Sequence, residues 1–217
     1  DMNKFFTTVL IIAVVTAIPF FAVLPQWSNN ASTNLKIFDV AQNQTYPEVA
    51  ITSDGGCYIS WFDDRLGNYD FYLQRLNSNG VKQFDSLGLL ISNHTQSGTL
   101  YQYDLITDDN DNAIIVFCDI RAGGQPIPYA YKISPTGSFL WGIDGIALSD
   151  SANIMQLNPN VTKTSDGNFV FAWSYYSTNS KIALQKLNTS GIRQWGNSPM
   201  KISGSVLEKY DMSNLVA

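Results

Sequence analysis

Three columns of bulky residues recur along this chain at one shared spacing, and that regularity restricts its fold more than any other feature. Trp27, Phe84, Trp141 and Trp195 are separated by 57, 57 and 54 residues. Trp61, Phe117 and Trp173 step by 56 and 56, and Val49, Leu105, Val161 and Leu215 by 56, 56 and 54. A shared period means one unit repeated in tandem. A period of about 50 with several short strands per unit points to a propeller or array whose units bury their apolar faces on one another.

The order of strands and turns within each unit supports this. In the first, Pro47 to Thr52 reads as a strand, Ser53 to Gly56 as a turn, Cys57 to Phe62 as a strand and Asp63 to Asn68 as a polar loop. Tyr69 to Leu76 alternates apolar and polar residues, Asn77 to Gly80 is a hairpin turn, Val81 to Phe84 is expected to begin the fourth strand, and Leu87 to Ile91 completes the unit. The same order recurs around the turns Ser134 to Gly137 and Asn188 to Gly191, each ending in glycine, the residue that tolerates a left-handed backbone.

The fold class expected is therefore all-β: β-propeller-type repeats of four-stranded antiparallel sheets. Residues 25–217 form one repeat domain, with three complete blades at about 46–100, 101–156 and 157–209 and part-repeats at 26–45 and 210–217. Gln26, Trp27 and the stretch Leu35 to Phe38 resemble Gln194, Trp195 and Met200 to Ser203, so the first part-repeat reads as the tail of a blade. Tyr210 to Ala217 resembles the first strand of another. Closed propellers use about 4 to 8 blades. The expectation is an incomplete ring, whose leading tail adds as an outer strand to inner strands from further C-terminal blades.

Met2, Asn3 and Lys4 precede Phe5 to Leu24, twenty residues without a charge, and Pro25 closes the run. Residues 1–24 read as a secretory signal peptide with cleavage near Ala17 or Ala22, or as an uncleaved signal anchor, since about 20 apolar residues just span a bilayer. Either way the product is expected to be secreted or at the cell surface, touching membrane only through this segment.

The net charge is −5, and no basic run follows the leader, which excludes nucleic acid as a partner because phosphate contacts need clustered cations. Cys57 and Cys118 sit at different places in the repeat and should point to opposite faces of their strands, as two buried free thiols. The single His94 excludes an internal pair of catalytic histidines or a multi-histidine zinc site, and no cofactor is expected.

Among the local motifs, Thr52 to Trp61 and Thr164 to Trp173 approach the Asp-box hairpin of sialidases, but their Asp-to-Trp spacing is two residues longer, and such a box is a structural turn. Asp108-Asp-Asn-Asp-Asn112 has the alternating oxygens of a calcium loop without its glycine and distant glutamate, and reads as a solvated turn. The constellation with most functional content is Asp63-Asp64-Arg65 with Asp119-Ile120-Arg121, at one offset after the second-strand aromatic, and Tyr175-Tyr176 in the third repeat. On one rim, Asp63, Asp64, Arg65, Asp119, Arg121, Tyr175 and Tyr176 could bind a glycan or peptide by bidentate bonds and stacking. Alternatively, each Asp–Arg pair merely orders its loop.

The phrases Thr52-Ser-Asp-Gly-Gly-Cys-Tyr-Ile-Ser-Trp61, Phe71-Tyr-Leu-Gln-Arg-Leu-Asn-Ser-Asn-Gly80 and Tyr129-Ala-Tyr-Lys-Ile-Ser-Pro-Thr-Gly-Ser-Phe-Leu-Trp-Gly142 resemble exported bacterial propeller-repeat proteins. Many of these end in a type IX secretion sorting domain, so the resemblance implies an exported propeller rather than a particular chemistry. The reading is an exported or surface propeller module for binding or display of an extracellular glycan or protein. The alternatives are part of a secreted propeller glycoside hydrolase and a purely structural repeat spacer.

Overall fold

A computed structural model describes residues 27, 30, 32, 34–94, 96, 102–178 and 180–202. The leader at 1–24, the end of the third repeat, the part-repeat at 210–217 and the column member Leu215 lie outside the described residues. Those described form no helix.

Three four-stranded antiparallel sheets follow one another in the chain, as the period requires. The first blade contains β1 (Gln44–Ile51), β2 (Cys57–Asp63), β3 (Asp70–Leu76) and β4 (Leu89–Ser92), hydrogen-bonded in that order. The second has β5 (Asp104–Thr107), β6 (Ala113–Asp119), β7 (Ile127–Ile133) and β8 (Ile146–Ala147); the third has β9 (Met155–Lys163), β10 (Phe169–Tyr176), β11 (Ser180–Leu187) and β12 (Met200–Ile202). Pairing of Gln44 with Asp63 and of Ile51 with Cys57 fixes the two ends of the first blade, and Met155 with Tyr176 and Lys163 with Phe169 do so in the third. One end carries the starts of the inner strands and the loops after the second strands. The other carries the tight turns, where Gly80, Gly137 and Gly191 have φ of 75°, 86° and 82°.

The fourth strands differ from expectation. Val81 to Phe84 and its counterparts make single bridges, Leu76 to Lys82, Ile133 to Phe139 and Leu187 to Arg193, and the strands proper begin later, at Leu89, Ile146 and Met200. In the first and third blades the Gln74 and Gln185 side chains fill the gap, while the second blade, with Tyr131 at that position, is interrupted all the same. Each amide oxygen accepts the backbone N–H of the column aromatic, Phe84 at 3.0 Å and Trp195 at 3.3 Å, in place of a ladder bond.

The core lies between the blades. Tyr58, Phe62, Phe71 and Leu73 pack against Leu105, Ile115, Phe117 and Tyr131, with Phe71 stacked on Phe117 at 4.5 Å and Phe117 on Tyr131 at 5.4 Å. Ile114, Val116 and Trp141 pack in turn against Val161, Phe169, Phe171 and Trp173. The middle blade has a neighbour on each face, so every residue of β6 and β7 is buried, and their sequences lose the alternation of a half-exposed strand.

The column Trp61, Phe117 and Trp173 is buried throughout, as the repeat demands. The column Trp27, Phe84, Trp141 and Trp195 is not uniform: Trp141 is buried, Phe84 and Trp195 are half-buried, and Trp27 is 42% exposed. Val49 is 61% exposed where its equivalents Leu105 and Val161 are 5% and 2% exposed. The cause is position along the array, because no described blade covers the first blade's outward face. Cys118 is buried and Cys57, beside that face, only half-buried; both are free thiols.

Candidate functional site

The motif Asp-x-Arg closes each loop on itself. Asp63 ends β2, and its Oδ1 accepts the Arg65 backbone N–H at 2.9 Å while Oδ2 accepts Arg65 Nη2 at 2.8 Å and Trp61 Nε1 at 3.1 Å. The Arg65 guanidinium lies 3.9 Å from the ring centres of both Phe38 and Tyr72, and Nη1 donates to the Leu87 carbonyl at 3.1 Å. Burial raises the Asp63 carboxyl, but bonds from Arg65 and Trp61 outweigh it and hold the group below its ordinary value.

Asp119 and Arg121 repeat the arrangement. Asp119 Oδ1 accepts the Arg121 N–H and Nε at 3.0 and 2.9 Å, Arg121 Nη1 reaches the Asp144 carbonyl at 2.7 Å, and Nη2 reaches Ser92 Oγ of the first blade at 3.3 Å. Both Asp side chains are fully buried. Burial opposes the Arg121 charge, yet Asp119 more than offsets this and raises the guanidinium above its ordinary value. Asp64 accepts Asn43 N and Nδ2 at 2.7 and 2.8 Å, tying the incoming linker to the loop. In the third blade Tyr175 takes the Asp position, buried against the second blade with Lys201 Nζ 4.4 Å from its ring, while Tyr176 is half-buried. These residues thus form loop clips whose polar groups largely satisfy one another.

A different set converges at the same end, nearer the axis. Glu48, Asp104 and Asn160 occupy one position in the inner strands β1, β5 and β9, each 56 residues from the next. With Tyr46, Pro47, Gln102 and Tyr103 they line a cleft of about 270 Å³. Tyr103 O–H donates to the Tyr46 carbonyl at 2.6 Å, and Tyr103 Oη lies 2.9 Å from Ser60 Oγ. Asp104 Oδ1 accepts the Leu105 N–H at 2.9 Å, and its Oδ2 accepts the Val161 N–H at 2.8 Å.

Burial and the Asp104 charge push the Glu48 carboxyl up to about 7. Burial also raises Asp104, against the bonds from Val161 and Leu105. Tyr46 and its equivalent Asn158 have φ of 53° and 54°, beside register shifts in β1 and β9. A left-handed tyrosine at a bulge is costly, and such bulges re-aim neighbouring side chains. Sequence reasoning missed this set, although each member immediately precedes the Val49, Leu105, Val161 column, and a polar column beside an apolar one was the available signal.

At the opposite end, the acidic turn is a staple. Asp108 pairs with Lys132 at 2.9 Å, Asp109 pairs with Lys163 of the third blade, and Asp111 accepts Ser53 N and Oγ of the first blade, each at 2.7 Å. Arg75 with Asp54 and Lys186 with Asp166, at 2.8 and 2.7 Å, repeat the Lys132–Asp108 pair in the other blades. Thus the turn expected to be merely solvated joins three blades. Among the described residues no three His, Cys, Asp or Glu side chains converge as a metal site. His94 Nε2 lies 3.2 Å from Asp144 Oδ1.

No protein-family profile and no curated protein matches the sequence. Among solved structures, the chain is similar to an endo-arabinase from Bacteroides thetaiotaomicron at 14% identity and TM-score 0.43, over 75% of this chain and 63% of that one. An endo-1,4-β-xylanase from the same organism matches at 12% identity and TM-score 0.47, over 78% and 57%. A thermostable family-43 glycoside hydrolase matches at 16% and 0.43, over 76% and 56%. The chain therefore spans less than two thirds of the length of these proteins, and similarity at this level assigns no residue a role.

Proposed function

We propose that this chain is an exported or surface-displayed β-propeller module that binds a glycan in the cleft between its inner strands. The observation that carries this is the convergence of Glu48, Asp104 and Asn160 from three successive blades, with Tyr46 and Tyr103 beside them. A hydroxyl-rich ligand needs several convergent acceptors and an aromatic surface, and the cleft offers both. The Asp63–Arg65 and Asp119–Arg121 clips hold the loops at the same end, with Asp64, Tyr175 and Tyr176 shaping that rim. Export rests on the uncharged leader at 5–24.

Glycan-array binding by the purified chain, followed by titration calorimetry, tests the proposal. Asp104→Asn and Glu48→Gln should each weaken binding about 10-fold or more, as expected on losing a hydrogen bond to a charged group. Arg65→Lys should leave affinity unchanged. Undiminished binding by the Glu48→Gln, Asp104→Asn double variant excludes the cleft.

One observation favours a second reading, a glycan hydrolase. A carboxyl pushed up to about 7 beside a second carboxylate is the pattern of an acid–base pair. Release of reducing sugar from a polysaccharide supplied at concentrations that saturate the variant, abolished by Glu48→Gln, distinguishes hydrolysis from binding alone.

A further inference from the structure

The inner strands β1 and β9 share a bulge that β5 lacks, and what holds it differs between the two. Tyr46 and Pro47 stand opposite the single Trp61 in the first blade, and Asn158 and Pro159 opposite Trp173 in the third. The residue before each proline is left-handed, with φ of 53° and 54°. Asparagine tolerates that conformation, whereas a tyrosine there, restricted further by the following proline, persists only if its surroundings hold it. A bulge also takes a backbone carbonyl out of the ladder, and that carbonyl needs another donor.

In the third blade the strand supplies the missing bond itself: Asn160 Nδ2 donates to the Asn158 carbonyl at 3.2 Å. Glu48 occupies the position of Asn160, and once ionised it has no proton to give. The Tyr46 carbonyl instead accepts the Tyr103 O–H of the second blade, at 2.6 Å.

Tyr103 stands where the other two blades have proline, 56 residues from both Pro47 and Pro159. A proline could not reach back. The Tyr103 ring is fixed edge-on to Phe62 and Phe71 at 5.4 and 4.7 Å, and burial raises the pKa of its hydroxyl, which remains a donor. With that proton on the Tyr46 carbonyl, Tyr103 Oη accepts from Ser60 Oγ at 2.9 Å, and Ser60 is the ladder partner of Glu48. One hydroxyl thus ties β5 to both strands of the bulge.

We propose that Tyr103 is the positioning residue of the axial cleft: its hydroxyl holds the first-blade bulge in place of residue 48, which leaves the Glu48 carboxyl free to meet a ligand. The role in binding rests on the cleft being the glycan site, whereas the hold on Glu48 is a property of the free chain. Asp104 on β5 is the charge that faces Glu48, and Ser60 opposite it on β2 is neutral.

Titration of the Glu48 carboxyl by NMR, in the parent chain and in Tyr103→Phe, gives the first test. Phenylalanine keeps the ring and removes only the hydroxyl. Released from the bulge, Glu48 moves away from the Asp104 charge into water, and its midpoint should drop by about 1 or more. An unmoved or raised midpoint overturns the proposal.

The second test is rescue. Tyr103→Phe leaves the Tyr46 carbonyl without its donor and should raise the unfolding constant about 10-fold. Adding Glu48→Asn should restore most of the loss by repeating the Asn160 bond, and adding Glu48→Ala should not. Both remove the carboxyl, so only the amide differs. Equal recovery by the two, or none with Glu48→Asn, overturns the proposal. If Tyr103→Phe does not fold alone, folding regained with Glu48→Asn and not with Glu48→Ala supports it equally. A parent chain that binds no glycan on an array overturns the cleft as the binding site, whereas these two measurements decide the hold of Tyr103 on Glu48.

Discussion

Asp104 on the inner strand of the second blade accepts the amide N–H of Val161 on the inner strand of the third, at 2.8 Å. One carboxylate therefore serves two ends. It lines the cleft, and it spans the boundary between blades, so the geometry of the site is set by the packing of whole sheets. Its charge also acts on Glu48, the equivalent residue of the first blade.

Glu48 should make stability depend on pH. Its folded pKa of about 7 lies above the ordinary 4.5, so between those values the folded chain retains a proton that the unfolded chain has released. Stability therefore falls as pH rises from about 4.5 to 7 and levels off above. Glu48→Gln should flatten this slope and leave the variant more stable at pH 8 by about 1–2 kcal/mol, a figure reduced for partial exposure. Urea unfolding followed by tryptophan fluorescence at pH 5 and pH 8 measures both effects.

Glycine at 191 is demanded twice, by φ of 82° and by contact. A Cβ there would stand 2.5 Å from Ile146 Cδ1 and 2.9 Å from Trp141. Gly191→Ala should cost about 2–4 kcal/mol, the left-handed strain of about 1–2 kcal/mol plus the clash. Gly167→Ala, with φ of 77° and nothing within 4 Å, should cost only the strain. Equal losses in the two variants, measured by chemical denaturation, would remove the inter-blade contact from the explanation.

The same repeat position should be worth different amounts in different blades. Leu105→Ala removes a side chain packed between blades and should cost about 2–5 kcal/mol. Val49→Ala, at an exposed position, should change stability by no more than about 0.5 kcal/mol in this chain. Thermal melts of the pair read the contrast directly.

Breaking the second-blade clip should expose its structural role. Arg121→Met leaves the fully buried Asp119 carboxylate without its cation and should destabilise by about 3–5 kcal/mol. Adding Asp119→Asn should recover part of that loss. A double-mutant cycle showing no coupling would leave the arginine free for another task.

How much of this was legible in the sequence follows from how local each cause is. The period of about 56, the four-stranded antiparallel blades and the glycine turns could be read because they rest on strand alternation, turn chemistry and the recurrence of large side chains, all properties of neighbouring residues. The Asp-x-Arg motif was visible too, but not that its carboxylates are fully buried, because the burial of Asp63 and Asp119 comes from strands distant in sequence.

The sequence by itself determined the repeat, its strand order and the identity of its turns. Only the tertiary structure decided which equivalent residues are covered and which are not: Val49 and Leu105 share a position and differ because burial is conferred by the adjacent blade. It also delayed the fourth strands to Leu89, Ile146 and Met200, and brought Glu48, Asp104 and Asn160 into one cleft from residues 56 apart. Chain-local patterns fix hydrogen-bonded ladders, whereas exposure and shifted carboxyl pKa values depend on what packs across the space between sheets.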